Sequence, residues 1–272
     1  MIIRINSVAG RDEGAVERVA TEDGRRPLDT SRGMVSMGRS PTFPFPQWVA
    51  DDAYRTVFFD EGQGRTLVFV HGMGGNVTHW EYVLPELARG RRVAGLDLIG
   101  FGASRKPNVD YTIERMSDHL LSFLADRGIR KATLVGHSMG GTVAVMTALR
   151  RPDIVEGLAL VGAAGLAPFP AWMRWGSHLV LHDRLLYPLL RHGYDWILDN
   201  VFVDPPQTNE CVRHFRKDTL EDVSGIVPHL RDFARVGASA SRSIVHLDLS
   251  NRLHELEMPV LAVWGEEDRL VR

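Results

Sequence analysis

Residues 132–149 constrain the fold of this chain more than any other stretch. They begin with a short apolar run, pass through a turn that reads GHSMGG, and continue with small and apolar residues until Pro152. The stretch is about as long as a membrane-spanning helix, but the glycines at its centre and its strand-like first third argue against that interpretation. We therefore expect a buried strand, a sharp turn and a buried helix.

Ser138 lies at the centre of this turn, with Gly136 two residues before it and Gly140 two residues after it. A serine nucleophile on a strand-to-helix turn needs small residues at these positions, because the backbone brings neighbouring elements too close for side chains. The N-terminus of the following helix would favour negative charge developing on a substrate oxygen. The pattern G-x-S-x-G alone is weak, but its place between an apolar strand and a helix favours a nucleophile.

Composition narrows the class of partner. The 272 residues include 32 basic and 34 acidic side chains, which indicates neither a nucleic-acid-binding surface nor an acidic tail. We expect a small, weakly charged partner and no nucleic acid. Because Cys211 is the single cysteine, an internal disulfide and a metal site built from several cysteines are both excluded.

The N-terminal region contains charges too early for a signal peptide, and no integral membrane segment is predicted, so we expect a cytoplasmic protein. Residues 1–46 are rich in Gly, Arg, Ser and Pro and show little periodicity. They predict a flexible N-terminal arm, although Phe43, Phe45 and Trp48 could pack onto the domain.

From residue 54 onwards the pattern alternates between strands and helices. Helices are expected at residues 78–88 and from Thr112, a good N-cap residue, to about Gly128. Such alternation predicts an α/β fold with a mostly parallel sheet flanked by helices. The predicted strands are residues 54–59, 66–70, 92–96, 155–161 and 260–264.

A long insertion, residues 165–256, separates the last two predicted strands. It has helical periodicity and many aromatic residues, and a structureless loop of that size is improbable. We expect a helical cap over the strand ends, where open α/β sheets bind ligands. Residues 47–164 and 257–272 would then form the core domain.

Four motifs in this order resemble the α/β-hydrolase superfamily, and specifically its serine esterase and lipase branch with a helical cap. The resemblance covers residues 54–272 and implies that fold. The motifs are HGMGG at 71–75, DLIGFGAS at 97–104, GHSMGG at 136–141 and WGEED at 264–268.

The resemblance implies a role for each matching residue. Ser138 would be the nucleophile, Asp268 would orient a catalytic histidine, and the backbone amides of Met73 and Met139 would form the oxyanion hole. Losing one such donor typically costs about 3 kcal/mol of barrier. No cofactor or metal is implied. Supporting roles are expected for His71, Gly72, Gly74, Gly136, His137 and Gly140, whereas Asp97 is expected to fix its loop, and Glu266 and Glu267 to lie in a solvated turn.

The resemblance also implies a catalytic histidine after one further strand, and a covering helix, but no histidine follows Asp268. Three explanations stay open. The sequence could be part of a longer enzyme that supplies the last strand and helix; a histidine of the cap could act as the base; or the protein could be non-catalytic. The candidate cap histidines are His178, His182, His229, His246 and His254.

A serine at position 138 indicates acyl transfer, whereas an aspartate there would have indicated dehalogenase or epoxide hydrolase chemistry. We therefore expect a serine hydrolase that cleaves a carboxylic ester with a hydrophobic portion. The alternatives are a non-catalytic ligand-binding protein of the same fold, or an enzyme with a related reaction such as carbon–carbon hydrolysis or acyl transfer. The oligomeric state stays open.

Overall fold

A computed structural model describes residues 35–38, 43–201, 230–268 and 271 of the chain. Eight strands form one sheet. They are β1 (Val35–Gly38), β2 (Gln47–Val49), β3 (Val57–Glu61), β4 (Thr66–Val70), β5 (Arg92–Leu96), β6 (Ala132–His137), β7 (Val155–Val161) and β8 (Val260–Val263).

The sheet order is β1-β2-β3-β5-β4-β6-β7-β8. Neighbours from β5 to β8 pair in parallel, whereas β1, β2 and β3 pair antiparallel with their neighbours. The predicted α/β class with a mostly parallel sheet is confirmed. Since β4 and β6 run in parallel with Val70 beside Gly136, the loops that follow these two strands meet at one edge of the sheet.

Six α-helices and two 3-10 helices accompany the sheet in the part of the chain that the structure describes. The 3-10 helices span Val77–Trp80 and Ser250–Glu255. The α-helices are α1 (Leu84–Leu87), α2 (Ile113–Asp126), α3 (Met139–Arg150), α4 (Ala171–Val180), α5 (Asp183–Val201) and α6 (Leu230–His246).

The apolar strand runs become the centre of the core, as their composition predicts. Val68, Phe69 and Val70 on β4 are fully buried, because this strand has a strand on each side and elements on both faces. Helix α3 is buried along nearly its whole length. Together these elements hold the turn at residue 138 rigidly against the sheet.

Helix α2 has the predicted bounds and orientation. The Thr112 side chain caps its N-terminus by accepting a hydrogen bond from the Arg115 amide. Gly128, at φ +62°, lets the chain leave the helix at its C-terminus. Ile113, Met116 and Leu120 are fully buried on one face, so the apolar stripe packs against the core.

The prediction of one continuous helix over residues 78–88 is wrong. The structure has a 3-10 helix at Val77–Trp80 and the short helix α1. The reason is Pro85, which lacks an amide hydrogen and whose ring would clash with the carbonyl group of Glu81 in a continuous helix. Proline is tolerated only in the first turn of α1.

The prediction that residues 1–46 form a flexible arm is wrong for the last part of this range. Residues Val35–Gly38 form strand β1, which pairs with β2. Phe43 is 3% exposed and packs edge-on against Phe59, with 5.4 Å between ring centroids. The aromatic side chains near residue 43 therefore belong to the folded domain, while residues 1–34 and 39–42 lie outside the described residues.

The insertion between β7 and β8 contains helices α4, α5 and α6, so its predicted helical character is confirmed for the described residues. Helix α6 contacts α5, α4 and α2. Its Ser239 and Ser243 hydroxyls accept hydrogen bonds from the amides of Tyr111 and Ile113, which joins the insertion to the core. The division into core and cap domains stays a prediction.

Among the described residues we find no helix with the length and apolar character needed to cross a membrane.

Candidate active site

Ser138 occupies the turn between β6 and α3, with φ +52° and ψ −120°. Only Arg55 shares a positive φ among the non-glycine residues of the described ranges. A serine in this region is strained and persists only where the surroundings enforce it. Here the Ser138 amide donates to Val161 and its carbonyl accepts from Gly141 and Ala164, so three elements fix the turn.

The two flanking glycines are required by contact distances to backbone atoms. A Cβ atom at Gly136 would lie 2.5 Å from the carbonyl oxygen of Gly140, and one at Gly140 would lie 2.5 Å from that of His71. Such contacts need backbone movement. The supporting role expected for Gly136 and Gly140 therefore has a direct cause, which is the close approach of β4 and β6 to the start of α3.

The loop after β4 crosses the turn at equally short range. A Cβ atom at Gly72 would lie 2.9 Å from Nδ1 of His137 and 3.1 Å from Cβ of Ser138. Gly74 has φ +73°, a backbone conformation that glycine adopts without strain. These glycines let the backbone around Met73 pass next to Ser138.

His71 holds this loop to the neighbouring one. Its Nε2 accepts a hydrogen bond from the Leu98 amide at 2.9 Å, so Nδ1 carries the proton and donates to the Gly72 carbonyl at 2.7 Å. Burial lowers the pKa of His71 to about 4, although the bond to Gly72 opposes that shift. His71 is therefore neutral at physiological pH and engaged at both ring nitrogens, which suits a supporting role.

Met73 lies in the loop after β4 and Met139 at the N-terminus of α3, and the role of their amides as oxyanion-hole donors stays a prediction. Within the ranges the structure describes, the turn and loop hydrogen bonds include none donated by either amide. Met139 is the first residue of α3 and is fully buried, so its amide points out of the helix N-terminus without an intrahelical acceptor. The Met73 sulfur also accepts a hydrogen bond from Ser241 of α6 at 3.5 Å.

Asp97 fixes the loop after β5, as its position at a strand end suggests. Its two carboxylate oxygens accept hydrogen bonds from the amides of Val77 and Ala103, both at 2.8 Å. Burial nevertheless raises the pKa of Asp97 to about 6. Both oxygens face backbone amides of its own and the preceding loop, which matches the loop-fixing interpretation.

Asp268 lies at the same sheet edge as Ser138. Its Oδ2 would be 3.4 Å from a Cβ atom at Gly162, the residue after the Val161 carbonyl that binds the Ser138 amide. Its Oδ1 accepts the Val271 amide at 2.9 Å. Glu266 and Glu267 are exposed in the adjacent turn, whereas Asp268 is partly buried.

His137 is the histidine closest in sequence to Ser138, and it interacts electrostatically with Asp268. The residue retains solvent exposure, but partial desolvation of its ring lowers the pKa of His137 and the negative charge of Asp268 opposes that shift. Its side chain lies over Gly72. The lowered pKa leaves His137 neutral at physiological pH, with its ring against Gly72.

Three candidate histidines of the insertion contact one another or nearby residues. His246 Nε2 lies 2.9 Å from the Ser177 hydroxyl, and its ring centroid is 4.9 Å from that of His178. His182 lies 2.7 Å from the Asp183 carboxylate. These contacts do not include Ser138. His254 lies in the second 3-10 helix, and His229 lies outside the described residues.

Sequence reasoning missed the buried His119 and its network. The Ile99 amide donates to Nδ1 at 3.0 Å, so Nε2 bears the proton and lies 2.7 Å from Thr56 Oγ1, which bonds Asp52. Desolvation by burial lowers the pKa of His119 to about 4. The available signal was a histidine among the apolar positions of α2, and the network secures the loop at residues 97–104.

A cavity of about 580 Å³ lies between the loop before α2 and the inserted helices. Its lining includes Asn108, His178, Arg235 and Arg242 but not Ser138 or Asp268. The candidate site at the strand ends therefore lies outside this cavity. The described residues hold no group of three or more His, Cys, Asp or Glu side chains placed to bind a metal ion.

Residues 65–200 match the alpha/beta hydrolase fold family, so the chain belongs to that family. The match includes the loop of Met73 and the turn of Ser138. The resemblance drawn from the four motifs is thereby confirmed at the level of the superfamily.

Two curated relatives share part of the sequence. A 2-hydroxymuconate semialdehyde hydrolase of Pseudomonas sp. strain CF600 is 42% identical over 120 residues, which are 43% of this chain and 42% of the relative. A dihydrolipoyllysine-residue acetyltransferase component of an acetoin cleaving system from Pseudomonas putida is 33% identical over 213 residues. That match covers 77% of this chain and 54% of the relative, so the chain spans about half the length of these proteins.

Solved structures share the architecture more fully. A membrane phospholipase A, titled a bacterial virulence factor, superposes with a TM-score of 0.59 and 27% identity. The superposition covers 79% of this chain and 68% of that protein. The similarity therefore extends beyond the turn of Ser138 to most of the sheet and its flanking helices.

Proposed function

We propose that this chain is a serine hydrolase that cleaves a carboxylic ester with a hydrophobic portion through an acyl-enzyme at Ser138. The observation that carries the proposal is the strained backbone of Ser138, at φ +52°, between β6 and the N-terminus of α3. A structural serine gains nothing from such strain, whereas a nucleophile needs its hydroxyl raised from the sheet edge.

The proposed reaction starts with attack of Ser138 Oγ on the ester carbonyl carbon. The carbonyl oxygen becomes an oxyanion, which the Met73 and Met139 amides would stabilise by hydrogen bonds. The alcohol then leaves, and water hydrolyses the acyl-enzyme. The serine proton passes to an imidazole, which Asp268 would orient, and from there to the departing alkoxide, which leaves as the alcohol.

An ester with an apolar portion is the preferred substrate class for two reasons. The insertion is rich in aromatic side chains, and apolar groups of a substrate would pack favourably against such residues. The similarity to a protein titled a phospholipase also supports an ester.

A second candidate is hydrolysis of a carbon–carbon bond next to a carbonyl group. It is favoured by the relative named 2-hydroxymuconate semialdehyde hydrolase, with 42% identity over 120 residues. The relative named an acetyltransferase component similarly supports acyl transfer to another acceptor. Both alternatives would use Ser138 and the same amides, so the leaving group distinguishes them. A non-catalytic ligand-binding protein remains the alternative without turnover.

Product analysis separates these candidates. The full chain would be incubated with p-nitrophenyl esters from acetyl to dodecanoyl and with a conjugated diketone, and products would be identified by mass spectrometry. We expect alcohol release from the longer esters, abolished in Ser138→Ala and retained in Ser122→Ala, which removes an exposed hydroxyl from α2. Cleavage of the diketone alone would replace the ester proposal with the carbon–carbon one. Absence of turnover by the wild-type chain on every substrate would contradict both.

A further inference from the structure

Helix α4 carries a row of large apolar side chains on its outer surface. Trp172 is 74% exposed, Trp175 is 86% exposed and Leu179 is 75% exposed. Residues three, four and seven positions apart lie on one face of a helix. Most large apolar side chains of a folded domain are buried, and contiguous exposed apolar patches mark interaction surfaces. We call this row the α4 face.

The helix itself is anchored by its opposite side. Ser177 is 3% exposed and its hydroxyl lies 2.9 Å from His246 Nε2 of α6. The same hydroxyl donates to the Arg174 carbonyl at 2.8 Å. The orientation of α4 is therefore fixed by a buried polar contact, and this contact turns both tryptophans away from the protein interior.

The exposed apolar surface continues along the chain. Val180, at the end of α4, is 62% exposed, and Leu185 and Leu189 on α5 are 53% and 54% exposed. Leu185 and Leu189 are four residues apart and share one side of α5. Two consecutive helices thus present large apolar groups to solvent.

The segment that carries the α4 face is basic in sequence. Residues 165–193 contain three arginines, with Asp183 as the sole acidic residue, although the whole chain has a net charge of −2. Arg174 is an exposed member of α4 itself. A basic segment within a weakly acidic chain is complementary to an anionic surface.

We propose that the α4 face binds the surface of a phospholipid membrane that contains anionic lipids. Tryptophan is favoured at the boundary between headgroups and acyl chains because its ring is apolar and its indole N–H stays hydrogen-bonded. Leucine and valine add apolar area, while arginine pairs with lipid phosphate. The helix lies on the membrane in this arrangement and does not cross it.

The proposal is independent of the reaction at Ser138. It concerns the outer surface of α4, so the variant Ser138→Ala should bind membranes as the wild type does. A second copy of the chain could also cover an apolar face, and the experiment includes that outcome. The acidic lipid surface is preferred because two chains with the same basic segment would repel each other.

Binding of the full chain to vesicles tests the proposal directly. The vesicles would be made of dioleoyl phosphatidylcholine, alone or mixed with dioleoyl phosphatidylglycerol, and binding would be measured by co-sedimentation and by the tryptophan emission shift. We expect stronger binding to the anionic vesicles, weakened by salt. The Trp172→Ala/Trp175→Ala variant should lose at least tenfold in affinity, since it removes two large apolar side chains. Arg174→Gln should lose about fivefold on anionic vesicles only.

The control is Val83→Ser, which removes another exposed apolar side chain, 44% exposed, at the start of α1. It should bind vesicles as the wild type does. Circular dichroism would check folding, and the single variant Trp175→Ser would replace the double one if the latter is unfolded. The proposal is overturned if the tryptophan variants bind the vesicles as strongly as the wild type and Val83→Ser do. Sedimentation of a dimer that the tryptophan variant dissociates, without vesicle binding, would assign the face to a second copy instead.

Discussion

The residues around Ser138 show how backbone contacts, more than side-chain chemistry, define the candidate site. Gly136 and Gly140 sit where any Cβ atom would meet a neighbouring carbonyl oxygen. The Met139 amide belongs to the first turn of a helix and has no intrahelical acceptor. The oxyanion-hole role of this amide stays a prediction.

A substitution at Gly140 tests this packing. In Gly140→Ala the new Cβ would approach the His71 carbonyl to 2.5 Å, and we expect a loss of about 3 kcal/mol or more in the free energy of unfolding. Urea denaturation would measure the change. Gly176→Ala is the matched control, since Gly176 also lies in a helix but has no atom within 4 Å of an added Cβ. It should be neutral or stabilising by up to about 1 kcal/mol, and equal stability of the two variants would contradict the packing argument.

Two buried histidines make stability depend on pH. The pKa of His71 and of His119 is lowered from 6.5 to about 4 by burial. The unfolded chain therefore binds protons below pH 6.5 that the folded chain does not, and each histidine removes about 2 kcal/mol of stability as pH falls from 6.5 to 4.5. Asp97 acts in the opposite direction, because its raised pKa of about 6 lets the folded state take up a proton first.

We expect the two histidines to outweigh Asp97, so the free energy of unfolding should fall between pH 6.5 and 4.5. Urea titrations at several pH values would measure it. His119→Gln keeps one donor and one acceptor towards Thr56 and Ile99 but cannot titrate, so its stability should change less with pH. A variant with the same pH dependence as the wild type would show that His119 is not responsible.

At the scale of elements, parallel pairing of β4 with β6 is the decisive feature. It places the loop containing Met73 next to the turn of Ser138, with Val70 beside Gly136. The sequence predicted these strands because their apolar runs are continuous and end in glycine-rich turns. The helix at residues 78–88 was mispredicted because its apolar periodicity outweighed Pro85, a residue that a continuous helix cannot hold there.

The strand and aromatic residues before residue 47 also contribute to stability. Phe43 is 3% exposed against Phe59, so Phe43→Ala should lower the free energy of unfolding by about 3 to 5 kcal/mol. Chemical denaturation would measure this loss. Phe45→Ala, at a half-buried ring, should cost clearly less. If neither variant lowers the free energy of unfolding measurably, the region around Phe43 behaves as the flexible arm that the composition predicts.

At the scale of the molecule, the fold class and the position of Ser138 could be predicted, because both depend on local patterns in the chain. The roles of His119 and Ser241 could not, because they arise from contacts between segments far apart in sequence, such as the 3.5 Å contact of Ser241 with Met73. The outward orientation of Trp172 and Trp175 was also beyond prediction. An aromatic residue at helical spacing suits a core as well as a surface, and only the packing of α4 distinguishes them.

Labelling with a fluorophosphonate probe tests the central claim, which is that Ser138 is an activated nucleophile. The intact chain would be treated with the probe and digested, and the modified peptide would be identified by mass spectrometry. We predict a single adduct on the peptide that contains Ser138, absent from Ser138→Ala and present in Ser122→Ala. An adduct that persists in Ser138→Ala, or a wild-type chain that stays unlabelled, would contradict the account.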